Sequence, residues 1–399
     1  MRKVLIYKNE LLPISATFIQ SQAAALHAFE ARFVGLQKIP DGLPVHSKSV
    51  LLTEDNSFLS RIKREIFKRF TIAPQFLRRL RQEEPDLIHA HFAFDGVFAM
   101  RLADELRIPL VVTLHGYDVT ITDVAFGRTR EGRRYLKRRR ELWKKTTKFL
   151  CSCEYIMNRA VAAGFPKEKM EVLYSGHNLR KYSPGAEPRN RNLVLYVGRL
   201  VEKKGCSYLL RAVAKIAAVH PDVELAIIGD GPLLESLKVL AKELKINCRF
   251  LGTLMHPEPG NSVHDWMRRA RVFCVPSVTA SDGNTEGQPA VFVEAHALGL
   301  PAVSYQTAGI GEAVLHGETG LLAPEKDVDS LAEYLLRFLR DDTFWQSCSE
   351  RGKQWVWERF DLDVLTRQLE RAYREALNTP SPSEAAPVRR QSRKEAQIV

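Results

Sequence analysis

The segment SPGAEPRNRNLVLYVGRLVEKKG, residues 183–205, divides the chain into two halves. Its first ten residues hold two prolines and a glycine and little that is apolar, which is typical of a linker. The apolar run at 193–197 then predicts a buried strand. Because 399 residues exceed what a single hydrophobic core usually organises, we expect domains at 1–183 and 193–363, joined by a linker at 184–192.

Short apolar runs alternate with amphipathic segments in both halves. This alternation predicts two parallel sheets covered by helices, so the fold class is α/β with two doubly wound, Rossmann-like domains facing each other across a cleft. We expect a last helix at 364–377 to pack back on the first domain and the polar tail at 378–399 to be disordered. The strand candidates are KVLIY (3–7), RFVGL (32–36), SVLLT (49–53), DLIHAHF (86–92), PLVVTLH (109–115), KFLCSC (148–153), MEVLYS (170–175), LVLYVG (193–198), VELAIIG (223–229), RFLGTL (249–254), RVFCVPS (271–277), LPAVSY (300–305) and GLLAP (320–324).

Composition excludes several classes of protein. With 45% hydrophobic and 27% charged residues, the chain is neither disordered nor fibrous. No apolar run reaches the roughly 18 residues of a membrane span. The start, MRKVLIYKNE, predicts a first strand and no signal peptide, because Lys8 and Glu10 interrupt its apolar stretch. Six scattered cysteines without a C-x-x-C motif indicate reduced thiols in a cytoplasmic protein.

The net charge of +12 lies entirely in the first half, which indicates an anionic partner. Residues 61–81 carry eight Lys/Arg and residues 128–148 carry eleven. Basic amphipathic segments of this kind predict binding to an anionic membrane surface. The alternative is that their apolar residues pack on the sheet and the charges are only solvated. The apolar residues concerned are Ile62, Ile66, Phe67, Phe70, Leu136 and Trp143.

Two motifs in the second half predict a site for a phosphorylated sugar. After the strand at 193–197, Arg199 and Lys204 flank a turn that Gly205 closes at a helix start, where cations and free N–H groups suit a diphosphate. Farther along, Glu286 and Glu294 are separated by seven residues, and their carboxylates can accept hydrogen bonds from sugar or ribose hydroxyls. Taken singly, each has a structural alternative: a solvated turn, a helix cap or a surface helix residue.

In order and spacing these motifs resemble glycosyltransferase family 4, a group of retaining enzymes with the GT-B fold. GRLVEKKG (198–205) is similar to the family's G-R-L-x-x-x-K-G, and Glu286 and Glu294 to its E-x7-E signature. HGETGLLAP (316–324) resembles its closing strand, and LHGYD (114–118) and DLIHAHF its first half. The run 277–301 resembles the branch that assembles capsular and exopolysaccharide repeat units.

The resemblance implies a role for each matching residue on the donor side. Arg199 and Lys204 would neutralise the donor diphosphate, so that neither a metal nor another cofactor is expected. Glu294 would hold the ribose hydroxyls. Glu286 would face the transferred sugar, with the backbone amides of Gly287 and Gln288 close by.

On the acceptor side, the resemblance places His115, at the end of a first-half strand, near the reacting centre. The partners it implies are a nucleotide-sugar donor, a glycan or lipid-linked acceptor and the membrane surface, at the inner face of the cytoplasmic membrane. Ala16 and His177-Asn178 depart from the family pattern, since each replaces an acid that the family usually has.

Other functions are compatible with parts of the sequence. A GT-B nucleotide-sugar epimerase or phosphorylase would share the architecture. A metal hydrolase could use His89, His91 and His115 with Asp118. Nucleic-acid binding would need more than charge, because no known motif for it is present. The D-x-D strings at 327–329 and 361–363 each precede an apolar-periodic helix, which favours helix capping over metal binding.

Overall fold

Two parallel sheets form, one on each side of the linker. The computed structural model describes residues 1–13, 16–39, 42–44, 48–70, 73–183, 188–254, 258 and 260–379. The larger sheet has seven strands in the order β5-β3-β1-β6-β7-β8-β9, and a two-stranded ribbon, β2-β4, lies apart from it. Their bounds are β1 Arg2–Tyr7, β2 Glu10–Leu11, β3 Phe29–Gly35, β4 Gln37–Lys38, β5 Ser49–Leu51, β6 Leu87–His91, β7 Leu110–Leu114, β8 Lys148–Cys151 and β9 Met170–Val172.

The second sheet has six strands in the order β12-β11-β10-β13-β14-β15. All neighbouring strands in both sheets are parallel. All thirteen predicted strands are present in the two sheets, so the prediction of two doubly wound sheets is confirmed. The bounds are β10 Leu193–Val197, β11 Glu224–Ile228, β12 Cys248–Phe250, β13 Val272–Cys274, β14 Ala302–Tyr305 and β15 Gly320–Ala323.

Helices cover both faces of each sheet, which explains why every residue of β6, β7 and β10 is buried. Those of the first half are α1 Thr17–Ala24, α2 Phe58–Phe70, α3 Pro74–Gln82, α4 Ala93–Leu106, α5 Tyr117–Thr120, α6 Asp123–Gly127, α7 Arg130–Lys145 and α8 Glu154–Ala162. Those of the second are α9 Cys206–Ala217, α10 Leu234–Glu243, α11 Val263–Arg269, α12 Ala290–Ala297, α13 Val328–Arg340, α14 Asp342–Phe360 and α15 Leu362–Asn378.

The winding direction reverses once in each sheet. Strand β1 lies between β3 and β6, and β10 lies between β11 and β13. In open parallel sheets, ligands bind beyond the strand ends at such reversal points. The residues that follow β10, beginning with Gly198-Arg199, therefore stand where a ligand is expected.

The last helix, α15, completes the core of the first half. Leu365, Leu369 and Tyr373 are buried in that core, and the Tyr373 hydroxyl lies 2.7 Å from Nδ1 of His89 on β6. Glu370 accepts hydrogen bonds from the backbone N–H groups of His27 and Ala28, both at 2.6 Å. Of the tail predicted to be disordered, 378–399, all but the first two residues lie outside the described ranges.

Both D-x-D strings begin helices, as predicted. Asp327 accepts hydrogen bonds from the N–H groups of Asp329 and Ser330, both at 3.0 Å, at the start of α13. Asp361 accepts one from Val364 N, also at 3.0 Å, at the start of α15. The capping prediction is therefore confirmed for both helices.

Candidate active site

The loop from β10 to α9 carries the predicted cation pair. Its last turn, Glu202–Lys204, ends at Gly205, where φ is +64° and a Cβ would lie 1.8 Å from the Pro276 carbonyl oxygen, so glycine is required. Arg199 is exposed, and within the described part of the chain no carboxylate lies within 4.0 Å of its guanidinium. This leaves Arg199 available to an anionic ligand.

Glu286 is a buried carboxylate that faces two ammonium groups. Its Oε1 lies 3.2 Å from Nζ of Lys204 and 3.5 Å from Nζ of Lys203. Burial raises the pKa of Glu286, but the two lysines outweigh burial and hold the pKa below its ordinary value. The structure thus brings the predicted residues Lys204 and Glu286 together as ions.

Lys203 is a member of this cluster that sequence reasoning missed. Besides Glu286, its Nζ lies 3.4 Å from both Asn284 Oδ1 and the Thr285 carbonyl oxygen. The only sequence signal for it was the Lys-Lys doublet, since two adjacent residues on a tight turn can reach the same carboxylate.

Glu294 belongs to a separate cluster on α12. Its Oε2 lies 3.8 Å from Nε2 of His264, and the Tyr182 ring packs edge-on against that imidazole with centroids 5.0 Å apart. The two glutamates of the motif therefore face different groups. One extended ligand could therefore contact Glu286 at one point and Glu294 at another, as the two predicted roles require.

His115 lies across the cleft, on a loop in direct contact with the Glu286 loop. A Cβ on Gly287 would lie 2.3 Å from the His115 carbonyl oxygen, so only glycine allows this approach. Both predicted catalytic residues, His115 and Glu286, are thereby placed on touching loops of opposite domains.

Asp118 fixes the His115 loop. Its carboxylate accepts hydrogen bonds from the backbone N–H groups of His115 (3.2 Å), Gly116 (3.0 Å) and Ala93 (2.9 Å), so it ties the ends of β6 and β7 together. Burial raises the pKa of Asp118 to about 6, against the opposing effect of these hydrogen bonds. Phe92, in the same junction, has φ +75°, a strained value of the kind found at functional sites.

The side chains proposed for a metal hydrolase already have hydrogen-bond partners within the protein. Both nitrogens of His89 are engaged, at 2.7 Å from the Tyr373 hydroxyl and 2.6 Å from Thr113 Oγ1. His91 Nδ1 lies 3.0 Å from His115 Nε2, and Asp118 binds backbone N–H groups. Across the described ranges no group of three His, Cys, Asp or Glu is arranged to hold a metal ion.

Two polar side chains, whose partners the sequence did not predict, form hydrogen bonds between the domains. The Gln288 side chain donates to the Ser175 carbonyl oxygen (2.9 Å) and accepts from Ser175 N (2.6 Å), so this side chain bridges the domains. Glu312 accepts from Glu154 N (2.8 Å) and Tyr155 N (2.9 Å) at the start of α8. Because carboxylates are favoured at helix N-termini, these two hydrogen bonds connect Glu312 of the second domain to α8 of the first.

Solved structures share this architecture over nearly the whole chain. Anabaena HepE in complex with UDP and glucose is 19% identical and superposes with a TM-score of 0.73, covering 94% of this chain and 100% of that one. Sucrose-phosphate synthase from Thermosynechococcus elongatus is 18% identical with a TM-score of 0.72, covering 94% and 99%. Together with two facing Rossmann-like domains, these similarities define the fold as GT-B, the fold of a large class of glycosyltransferases.

Sequence comparison gives the family. The model for glycosyl transferases group 1 matches residues 181–355, and the model for Glycosyltransferase Family 4 matches 23–181. The amylovoran biosynthesis glycosyltransferase AmsK of Erwinia amylovora is 30% identical, over 71% of this chain and 69% of that protein. The putative colanic acid biosynthesis glycosyltransferase WcaL of Salmonella typhimurium is 29% identical over the same shares. The chain belongs to glycosyltransferase family 4, and the predictions of family and enzyme class are confirmed.

Proposed function

We propose that this glycosyltransferase moves a sugar from a nucleotide-sugar donor to a glycan or lipid-linked saccharide, with retention of configuration, in the assembly of a cell-surface polysaccharide. The observation that carries the proposal is the contact between the Glu286 loop, with its two lysines, and the His115 loop. A sugar between them would meet a carboxylate on one side and an imidazole on the other. The names of the relatives AmsK and WcaL support the polysaccharide pathway.

Protein cations can carry the charge of the donor diphosphate. Arg199 is exposed, and Lys204 lies on the same loop after β10, at the reversal point of the sheet. As negative charge grows on the leaving diphosphate, fixed cations stabilise it more than they stabilise the bound substrate. We therefore propose that no metal is required.

A hydrolysis screen tests the proposed reaction. The protein is incubated with a panel of UDP-, GDP- and ADP-sugars, and released nucleoside diphosphate is measured with and without EDTA. We expect slow hydrolysis of one donor class, unchanged by EDTA and accelerated by a saccharide acceptor that becomes longer. Formation of a free sugar isomer would instead identify an epimerase, and release of a sugar phosphate would identify a phosphorylase.

Glu294→Ala is expected to weaken binding of the free nucleoside diphosphate about 10–100-fold, because a charge-assisted hydrogen bond to ribose contributes about 1.5–3 kcal/mol. Isothermal titration calorimetry with the nucleoside diphosphate alone measures this. His264→Ala is the matched control, since it removes the 3.8 Å neighbour of the carboxylate and keeps the carboxylate itself. Unchanged affinity in Glu294→Ala would remove Glu294 from the ribose site.

Helix α2 presents an apolar surface beside strong positive charge, which supports binding to an anionic membrane. Phe58 is 76% exposed and Leu59 68%, while Phe67 on the other face is buried. The exposed apolar side chains of α2 are Phe58, Leu59, Ile62, Ile66 and Phe70. Next to them, a groove between α2 and α7 is lined by Arg61, Arg69, Arg130 and Arg134. None of the helices within the described residues is long and apolar enough to cross a bilayer.

The second basic segment, 128–148, contributes charge only. Its apolar residues Leu136 and Trp143 pack against the core of the first half, so they do not form a membrane-facing stripe. The packing part of the alternative interpretation therefore describes Leu136 and Trp143 of α7, and in α2 it describes Phe67. We propose that α2 enters the lipid interface and that α7 supplies cations beside it, at the inner face of the cytoplasmic membrane.

A groove between α2 and α3 suits a lipid-linked acceptor. It encloses about 850 Å³, with Ile66, Ala73 and Phe76 among its apolar lining. Lys63, Arg78 and Arg79 also line it. An apolar wall with cations is the arrangement that a lipid chain carrying a phosphate would need.

Liposome flotation tests the membrane proposal. We expect the protein to float with anionic vesicles and not with neutral ones, because each basic residue near an anionic surface contributes about 1 kcal/mol. Binding should fall with added salt. The variant Phe58→Ser/Leu59→Ser should float less, whereas Val239→Ser, at a 58% exposed position of the second domain, should behave like the wild type. Equal recovery on both vesicle types would contradict the proposal.

A further inference from the structure

His91 lies directly behind His115 on the neighbouring strand. Its Nδ1 is 3.0 Å from Nε2 of His115, and the two rings are nearly parallel, with an angle of 17° and centroids 5.3 Å apart. His91 is 1% exposed, and on its other side it packs against the His89 ring, which is tilted by 35° with its centroid 4.4 Å away. The imidazole of His115 is therefore held in place by a hydrogen bond to the imidazole of His91.

Both rings are neutral at physiological pH. Burial lowers the pKa of His115 to about 3 and that of His91 well below its ordinary value, and the nearby cation Lys8 acts in the same direction. A hydrogen bond between two neutral imidazoles needs one N–H donor and one bare nitrogen as acceptor. The position of the proton on one ring therefore fixes its position on the other.

The shared proton can lie on Nδ1 of His91 or on Nε2 of His115, and the surroundings of the second nitrogen of each ring distinguish these two arrangements. Nε2 of His91 is buried and has no hydrogen-bond partner in the described part of the chain. A buried N–H without a partner is rarer in proteins than a buried acceptor without one. The proton of His91 is therefore placed on Nδ1, where it is donated to His115. The proton of His115 then resides on Nδ1, which is not among the buried atoms that lack a partner.

We propose that His91 is a positioning residue for sugar transfer: by donating Nδ1–H to His115 Nε2, it makes His115 present an N–H donor to the substrate. This deepens the proposed function and rests on the role given there to His115. The group that His115 Nδ1–H would meet is an oxygen of the sugar or the acceptor. The hydrogen bond itself transfers no proton between the two rings.

Nitrogen-15 NMR of the histidine side chains tests the proton positions directly. In the wild type we expect His115 to carry its proton on Nδ1, with Nε2 as the bare nitrogen. His91→Asn places an amide N–H near the position of Nδ1 and should keep this tautomer. His91→Phe fills the space without a donor and should allow the other tautomer. A wild-type His115 protonated on Nε2 would overturn the proposal, whatever the variants do.

Kinetics give the second readout. His91→Phe should lower kcat about 10-fold, the value of one hydrogen bond, with the KM for the donor unchanged. His91→Asn should recover most of that loss. His89→Phe is the matched control: it removes the bonds to Tyr373 and Thr113, so it should reduce stability and leave the tautomer of His115 unchanged. Equal kcat values in His91→Phe and the wild type would contradict the role.

Different results would contradict the role of His115 in the proposed function and the role of His91 proposed here. If His115→Ala keeps full turnover, the role of His115 in the proposed function is wrong, while the proton positions from NMR still stand or fall on their own. If His115→Ala loses turnover and His91→Phe does not, only the role of His91 is wrong.

Discussion

Replacing Glu286 with glutamine is expected to lower kcat by about 100-fold, which corresponds to roughly 2.7 kcal/mol of transition-state stabilisation. Glutamine keeps the size of the side chain but removes the charge that faces Lys203 and Lys204 at 3.5 and 3.2 Å. The lysines then lose their carboxylate partner beside the transferred sugar. Affinity for the free nucleoside diphosphate should stay the same or rise, since two unpaired ammonium groups favour an anion.

Steady-state kinetics and calorimetry measure these two effects. Glu235→Gln is the matched control because Glu235 forms an exposed pair with Lys238 on α10, and exposed pairs contribute little. It should leave both quantities unchanged. A Glu286→Gln variant that loses nucleotide affinity as strongly as Glu294→Ala would show that the two carboxylates have been given the wrong roles.

The double variant Arg199→Ala/Lys204→Ala should lose about 10²–10⁴ in kcat/KM, because each charge-assisted contact contributes about 1.5–3 kcal/mol. Each single variant should lose about 10–100-fold. The Arg199 change should not affect stability, since that side chain is exposed and has no carboxylate partner in the described ranges. Lys238→Ala, on the surface of the same domain, is the control. Full activity in the double variant would end the diphosphate assignment.

Lys204→Ala should also change the pH dependence of turnover. The two lysines hold the pKa of Glu286 below its ordinary value against the opposite effect of burial. Without Lys204 the pKa of Glu286 rises, so the carboxylate is protonated at a higher pH than in the wild type. The acid limb of the kcat profile should therefore move to higher pH in Lys204→Ala and remain in place in Arg199→Ala.

Much of the architecture was predictable from the sequence because it depends on local patterns. Continuous apolar runs predicted all thirteen strands of the two sheets. The ribbon β2-β4 was missed because two residues per strand carry no periodicity. The last helix was expected on the first domain, but its contact with His89 follows from packing between residues 284 positions apart.

The candidate site was predictable for those residues whose position follows from their own segment of the chain. Lys204, Glu286 and His115 each follow a strand or open a helix, so their positions could be inferred from the chain order. The partners of Gln288 and Glu312 could not, because Ser175 and the start of α8 lie more than 100 residues away. The pair His91–His115 was visible only as two histidines at the ends of neighbouring strands, with nothing in the sequence to give the 3.0 Å contact.

The position of α15 has a consequence for synthesis on the ribosome. The first-half core includes Tyr373, whose ring meets Phe29 edge-on at a centroid distance of 5.1 Å. At about 5–20 residues per second, the ribosome needs roughly 10 to 40 seconds to make the second half after the linker. During that interval the apolar surface that α15 covers is open in the nascent first half, and Nδ1 of His89 lacks its Tyr373 partner while Nε2 keeps Thr113. The core of the first half is therefore completed only after α15 has been made, although its strands emerge first, and a fragment that stops at the linker would leave that apolar surface exposed.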